Sequence, residues 1–216
     1  MIIPIFPLEI VQFPGVGTPL HIFEPRYRQL LTDIQKTDNT FGIILMSKSD
    51  SPAAGAVGCT VEVVANKTME DGRSNILCAG KNRFTVKRLV DGEPYQQAEI
   101  EFFGDDLVFD EDFVLRDKSK GLFTQVIKAA MQLNEVNVTE IPELPDDPVT
   151  LSFVISSSLD VELEEKQMWL EMTNTNLRLS RLNNRLKDMI EHLQLRLEVQ
   201  QITSPRKISN PDMKTD

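Results

Sequence analysis

The sequence predicts an α+β protein, in which an antiparallel β-barrel with one or two short helices is followed by a helical lobe that ends in a long helix. Two Asp-Gly pairs, at 71–72 and 91–92, separate short runs that are rich in β-branched residues. This pattern is typical of strands joined by tight hairpins. Beyond Gly104 the apolar residues recur instead at the spacing of helices.

Prolines shape the opening of the chain. The run Ile3-Pro4-Ile5-Phe6-Pro7-Leu8 is predicted to stay extended, because proline fixes φ, lacks an N–H and disfavours helix at the residue before it. Phe13-Pro14-Gly15 predicts a turn before a second short strand. A helix can begin at Glu24-Pro25, where the missing N–H is not needed. Its apolar face consists of residues at i, i+3, i+4 and i+7: Tyr27, Leu30, Leu31 and Ile34.

The remaining strands of the barrel are predicted from short apolar or alternating runs. We expect a buried strand at 41–46, a loop at 48–58, and strands at 57–65, 75–79, 84–90 and 95–103. Gly80 is expected to break the run between the third and fourth of these strands. In the last strand Ala98, Ile100 and Phe102 alternate with Glu99 and Glu101, which predicts an apolar inner face and carboxylates in water.

An acidic connector at 105–112, whose carboxylates are expected to be solvated, leads into the helical half. Helices are predicted around 122–131, from Asp147-Pro148 to Leu159, from Glu162 onwards, and at 177–199. The last helix carries a near-heptad series: Leu179, Leu182, Leu186, Met189, Leu193 and Leu197. We therefore predict a barrel lobe at 1–105, a helical lobe at 106–203 and a disordered polar tail at 204–216.

Charge and composition limit the classes of function. The formal net charge is −10, and nearly all the excess lies in 106–175, which holds 15 acidic and 5 basic residues. Nucleic-acid binders normally present a basic face, so no nucleic-acid partner is expected. No apolar run approaches the ~18 residues that cross a bilayer, and no secretory signal precedes the first strand. We expect a cytoplasmic protein without membrane contact, in which Cys59 and Cys78 are small buried hydrophobes.

Three motifs stand in a fixed order at the start of the chain: Pro-x-Phe-Pro-Leu at 4–8, Phe-Pro-Gly at 13–15 and Pro-Leu-His-Ile-Phe-Glu-Pro-Arg-Tyr at 19–27. Further matches follow at Val57-Gly58, Asp71-Gly72, Arg83-Phe84, Asp147-Pro148 and 164–167. Together they resemble the Lon N-terminal domain, the substrate-binding domain of the ATP-dependent Lon proteases, which also occurs alone in small bacterial proteins. The resemblance implies a PUA-like β-barrel, a helical second lobe and binding of protein segments.

Residues for catalysis are missing from the sequence. The phosphate-binding pattern G-x-x-x-x-G-K-[ST] does not occur, and the nearest run, Gly80-Lys81-Asn82, lacks the first glycine and the hydroxyl. His21 is expected to pack at the edge of the core and His192 to be solvated. The acidic clusters lack the ligand spacing of a calcium loop. We predict no catalytic residue, no metal site and no cofactor, so the proteolytic activity of the Lon family is not carried over.

The remaining hypothesis is a non-catalytic module that binds unfolded or extended protein segments, or a specific protein partner. The residues expected to bind lie at the start of the first helix and at a hairpin tip: Glu24, Arg26, Arg28, Met69 and Arg73. Plain solvation and helix capping are the alternative for these side chains. The tip at Pro14-Gly15 is a further candidate.

Two other functions stay open at this point. PUA-like barrels of other families bind RNA, so an RNA-binding module is one alternative, although the acidic charge opposes it. An adaptor for a separate protease is the other, with the last helix as its docking element. Docking or homodimer formation would then use Leu186, Met189, Leu193 and Leu197.

Overall fold

The computed structural model describes residues 1–46, 52–90, 94–107, 109–136 and 143–203. The strands within these ranges are β1 (Ile2–Leu8), β2 (Gly17–Ile22), β3 (Thr40–Leu45), β4 (Val57–Thr68), β5 (Ser74–Val90) and β6 (Gln97–Phe103). The helices are α1 (Pro25–Ile34), α2 (Asp110–Leu133), α3 (Pro148–Ser158), α4 (Leu163–Glu171) and α5 (Thr175–Thr203). The predicted α+β class is confirmed. The Asp91-Gly92 turn, the first part of the loop at 48–58 and the tail at 204–216 lie outside the described residues.

Five strands close into a β-barrel. They are hydrogen-bonded in the order β5-β4-β3-β1-β6, and β6 returns to β5, while β2 extends the sheet at the start of β5. Neighbouring strands are antiparallel except β1 and β3, which are parallel with Phe6 opposite Ile43. The barrel is therefore mostly antiparallel, as predicted, with this one parallel pairing. Its reason is the connection through β2 and α1, a crossover that brings the chain back in the same direction.

Helix α1 packs on the barrel with the face that the sequence predicts. Tyr27, Leu30, Leu31 and Ile34 are all buried, and the Tyr27 ring stacks on Phe6 with 3.7 Å between ring centroids. These side chains share a cluster with Phe41, Ile43, Val61, Ile76 and Cys78. A separate cluster belongs to four of the five barrel strands, β1, β3, β5 and β6: Ile3, Ile5, Ile44, Phe84, Val86, Ala98 and Ile100.

Gly80 does not break a strand. It lies inside the 17-residue β5, and its hydrogen bonds go to the loop between β1 and β2: its N–H donates to Val16 O at 3.0 Å, and its own carbonyl accepts from the Gly15 N–H at 3.0 Å. A Cβ atom at position 80 would stand 2.1 Å from Phe13 O. Glycine is therefore needed here because two backbones approach closely, which is one of the known roles of glycine within a strand.

The same loop carries Phe13 into the helical lobe. The Phe13 side chain is fully buried and its ring lies 6.0 Å from that of Phe153 in α3. The cluster around it also contains Leu151, Trp169, Leu182 and Leu186 from three helices. A residue of the β-rich half thus forms part of the helical core, which explains why Phe-Pro-Gly stands between two strands.

The two long helices run side by side in the same direction. Near their beginnings the Ser119 hydroxyl of α2 donates to Asn183 Oδ1 of α5 at 2.8 Å, and near their ends Leu133 and Val199 border one cavity. α2 begins inside the acidic segment that was expected to be a connector. Asp112 accepts the Phe109 N–H at 2.8 Å and so satisfies a free donor at the helix N-terminus.

A buried ionic network joins the lobes. Asp105, the second residue after the last barrel strand, forms ion pairs with Arg83 of β5 and Arg178 of α5. The side chains of the three residues are 5%, 2% and 0% exposed, respectively. The expectation of a solvated carboxylate is therefore wrong for Asp105, because its two partners are distant in sequence.

Other groups complete the shell of this network. The Arg83 and Arg178 guanidinium groups each donate to Met172 O at 2.6 Å, and both lie over the ring of Phe153. The Thr175 hydroxyl donates to Asp105 Oδ2 at 2.6 Å. Burial lowers the pKa of Arg83, the Asp105 charge opposes that effect, and the Arg178 charge adds to it. One carboxylate therefore neutralises one of two buried cations, and carbonyl oxygens and ring faces stabilise the excess charge.

Replacing Gly80 by alanine should destabilise the protein, because the new methyl group meets the Phe13 carbonyl. We expect the free energy of unfolding to fall by about 1–3 kcal/mol, measured by urea denaturation. Gly121→Ala is the matched control: it adds the same methyl in the interior of α2, where no other atom stands within 4 Å, and should stabilise by up to about 1 kcal/mol. Equal shifts for the two variants would contradict the close approach at Gly80.

Asp105→Asn keeps the side-chain shape but leaves two guanidinium groups buried without a counter-charge. We expect a loss of about 3–5 kcal/mol in the free energy of unfolding, because an uncompensated buried charge is costly. Circular dichroism during urea unfolding measures it. The exposed neighbour Asp106 provides the control, since Asp106→Asn should change stability by no more than about 0.5 kcal/mol. Similar values for both variants would show that the network does not hold the lobes together.

Candidate protein-binding groove

A groove of about 500 Å³ lies between α1 and the β4–β5 hairpin. We call it the α1–hairpin groove. Its lining is mostly polar: Pro25, Arg28, Gln29, Leu31, Thr32, Gln35, Asn66, Thr68, Gly72 and Ser74. The structure therefore brings the predicted Arg28 next to the predicted hairpin tip, although 44 positions separate Arg28 from Gly72 in the sequence.

The hairpin turns through three residues and needs glycine at its third position. Met69 N–H donates to Arg73 O at 2.7 Å and Gly72 N–H donates to Met69 O at 2.9 Å. Gly72 has φ +81°, a conformation that few L-residues adopt. Its missing side chain also makes room for Arg28, since a Cβ there would stand 1.9 Å from Arg28 Nη2. The Arg28 guanidinium thus lies directly against the turn.

The predicted charged residues differ in whether they are paired. Arg26 forms an ion pair with Glu24 at 2.9 Å, and Arg73 forms one with Asp71 at 2.6 Å. Hydrogen bonds from the Arg73 backbone and side chain lower the pKa of Asp71, and the positive charge of Arg28 contributes a smaller part. In the described residues no carboxylate lies within 4 Å of the Arg28 guanidinium. Arg28 therefore brings an unpaired positive charge to the groove.

Several groove residues were not identified from the sequence. On α1, Thr32 and Gln35 follow Arg28 at i+4 and i+7, so the three share one helix face. This polar stripe beside the apolar face was the available signal. Asn66 and Thr68 gave no such signal, because polar residues on a strand are equally common on plain solvent-facing sheets.

The residues predicted for docking on α5 do not form the exposed apolar surface of this helix. Leu186 is fully buried in the chain's own helical core, and Met189, Leu193 and Leu197 are half-buried. Near the end of α5 the exposed apolar residues are instead Leu195, Val199 and Ile202, at i, i+4 and i+7. The near-heptad series thus faces inward at its start, and a neighbouring stripe faces outward at the end of the helix.

A second cavity, of about 530 Å³, lies at one mouth of the barrel. Each barrel strand contributes to its wall, including Ile2, Thr40, Thr60, Asn82 and Phe102. Phe102 was expected to face inward, but 46% of its surface is exposed. The predicted alternation of β6 therefore fails at this position, although Phe84, which stands opposite on β5, is fully buried.

The histidines and cysteines of the described residues lie apart from one another or are buried. The His21 Nδ1 atom lies 2.7 Å from Asn75 Oδ1 on the surface, so its expected place at the core edge is corrected, and His192 is exposed. Both cysteines are unpaired and buried, and burial raises the pKa of each thiol to about 12. A thiol with that pKa is not a nucleophile near neutral pH. Nowhere in the described ranges do three His, Cys, Asp or Glu residues converge as for a metal ion.

Sequence comparison decides the family. Residues 2–188 match the family model of the ATP-dependent protease La (Lon) substrate-binding domain. The chain belongs to the Lon substrate-binding domain family. The Lon protease of Cytophaga hutchinsonii is 26% identical over 218 residues, and that of Anaeromyxobacter dehalogenans is 29% identical over 201 residues. These alignments cover 92% and 88% of this chain, which spans about a quarter of each relative (25% and 24%).

Solved structures of Lon domains show the same fold. The Lon N-terminal domain protein from Xanthomonas campestris has a TM-score of 0.63 at 22% identity, covering 84% of this chain and 96% of its own. The N-terminal domain of the Mycobacterium avium complex Lon protease has a TM-score of 0.68 at 16% identity, covering 87% and 99%. Among the helices that the structure describes, none is long and apolar enough to cross a membrane.

Proposed function

We propose that this chain is a non-catalytic protein-binding module that takes up unfolded or extended protein segments. The observation that carries the proposal is the match of residues 2–188 to a substrate-binding domain. The 216 residues contain no P-loop pattern, and the buried thiols and surface histidines form no nucleophile–base pair. Binding without bond cleavage is the function that these features favour.

The surface chemistry of the module suits polypeptide better than RNA. The α1–hairpin groove offers amide and hydroxyl groups that can pair with a backbone. Phosphates would meet a net charge of −10 and a single unpaired guanidinium in the groove, whereas RNA-binding surfaces carry clustered cations and stacking rings. Two buried, unpaired cysteines also suit a reducing compartment such as the cytoplasm.

The proposal is tested with a reduced and carboxymethylated protein that cannot refold, compared with its native disulfide-bonded form. We expect saturable binding of the unfolded form only, measured by fluorescence anisotropy, with the ligand intact on a gel afterwards and no phosphate release from ATP. Single-stranded RNA at low salt is the comparison ligand. Equal binding of both protein forms would contradict the proposal, and tighter, salt-sensitive binding of RNA would favour the RNA alternative.

A contact through the far end of α5, with a second copy or a separate protease, is a second candidate. It is supported by the exposed stripe Leu195, Val199 and Ile202, since such side chains gain roughly 1.5–3 kcal/mol each when fully buried. If copies pair through this stripe, sedimentation velocity should show concentration-dependent dimers that Val199→Glu abolishes. Gln201→Glu adds the same charge beside the stripe and should leave dimers intact. If the protein remains monomeric at all concentrations, pairing of two copies through this stripe is excluded, and only a different partner protein could bind there.

A further inference from the structure

Within the described part of the chain, the final part of β4 has a strand on one side only. Its pairing with β3 ends at Glu62, opposite Thr40, whereas its pairing with β5 continues through Thr68, opposite Ser74. Along 65–68, the described residues place no strand on the other side of β4. This free edge borders the α1–hairpin groove, because Asn66 and Thr68 are part of the groove lining.

The register shows which backbone groups point to the free edge. Met69 N–H donates to Arg73 O, so residues 67 and 65, at the same parity along the ladder, also direct their N–H and C=O groups to β5. The N–H and C=O groups of Asn66 and Thr68 therefore point away from β5, toward the free edge that borders the groove. Two residues with four outward polar groups are what an added strand needs in order to pair.

The groove is also selective in charge. Among the described residues that line it, Arg28 alone is ionisable, and the neighbouring Arg26 and Arg73 are held in ion pairs. The unpaired guanidinium lies against the hairpin turn, at one end of the free edge. A carboxylate brought to this end would form a charge-assisted hydrogen bond. The groove therefore favours an extended segment that carries a negative charge.

The other open edge of the sheet is less suited to pairing. Among the strands that the structure describes, β2 pairs with β5 only, but Pro19 lies at its centre, opposite Leu77, and has no N–H to donate. Proline at an edge is a common means of preventing strand addition. The stretch 65–68 of β4 contains no proline, so the two edges differ in their capacity to accept a strand.

We propose that an extended acidic segment of a partner protein adds to β4 as an antiparallel strand, pairing with the backbone of Asn66 and Thr68 and placing a carboxylate on Arg28. The inference rests on the proposed function and names its site and the chemistry of its ligand. Antiparallel pairing is the more stable arrangement per residue. In this orientation the N-terminal end of the segment lies at the hairpin. The residue that carries the carboxylate therefore stands two positions before the residue opposite Thr68, and the two side chains lie on the same face of the strand.

The ligand for the test is an octapeptide of alternating threonine and valine with glutamate as its second residue. Residues four and six of this peptide then oppose Thr68 and Asn66. Two analogues isolate the two interactions: one has glutamine in place of glutamate, and the other has N-methyl groups on residues four and six. By isothermal titration, the wild-type protein should bind the glutamate peptide about tenfold more tightly than the glutamine peptide and should not bind the N-methylated one.

Protein variants assign these effects to the groove. Arg28→Gln should abolish the preference for glutamate, whereas Lys128→Gln, which removes the same charge from an exposed position on α2, should preserve it. Thr68→Pro removes one outward N–H and should prevent binding, while Thr68→Val keeps that N–H and should retain it. Circular dichroism verifies that each variant is folded.

The outcomes separate this inference from the proposed function. Binding of the N-methylated peptide, or an unchanged glutamate preference in Arg28→Gln, would overturn strand addition at β4. If the unfolded protein binds but no octapeptide does, the groove inference is also overturned and the proposed function stands. If neither ligand binds, both fail together.

Discussion

One buried carboxylate connects the two halves of this fold. Asp105 occupies the second position after the last barrel strand and receives hydrogen bonds from a strand and a helix that are 22 and 73 residues away. Such a network gains little over apolar packing in net stability, because removing charges from water is costly. It specifies geometry, however, since two planar guanidinium groups and one carboxylate fit together in few orientations. The relative placement of barrel and helices depends on that fit.

The loop between β1 and β2 reinforces the same junction by a different means. Phe13 enters the helical core while the neighbouring backbone is bound to Gly80. An apolar anchor and a polar network thus fasten the lobes at separate points. The α1–hairpin groove is formed by α1, the end of β4 and the start of β5, and none of these segments belongs to this junction. A segment can therefore bind there against a framework that is already fixed.

Local signals predicted much of this fold. The apolar face of α1, the Asp71-Gly72 turn and the Asp147 cap of α3 each depend on residues within one or two turns of chain, so the pattern alone was sufficient. Gly80 and Asp105 were misjudged because their partners are distant in sequence. The sequence does not distinguish a glycine that makes room for another backbone from one that ends a strand, nor a buried aspartate from a solvated one.

The candidate site was predictable only in part, for the same reason. Arg28 and the hairpin tip were identified as separate exposed features, while their meeting across 44 residues and the free edge of β4 are consequences of the tertiary fold. Whether an arginine is paired is likewise decided by neighbours in space. Sequence suggested the same role for Arg26, Arg28 and Arg73, and the structure distinguishes the one without a carboxylate partner among the described residues.

Strand β5 serves two cores with its two faces. Ile76 and Cys78 pack with α1, whereas Phe84 and Val86 fill the barrel. Between these two segments the register with β4 shifts by one residue, from Val61 opposite Gly80 to Cys59 opposite Arg83, so the alternation of side chains across β5 reverses there. Arg83 therefore lies on the face opposite to Phe84 and reaches Asp105, and deletion of the extra residue would turn the arginine into the barrel. Homologous chains should therefore vary freely in hairpin length but retain the extra residue between Gly80 and Arg83.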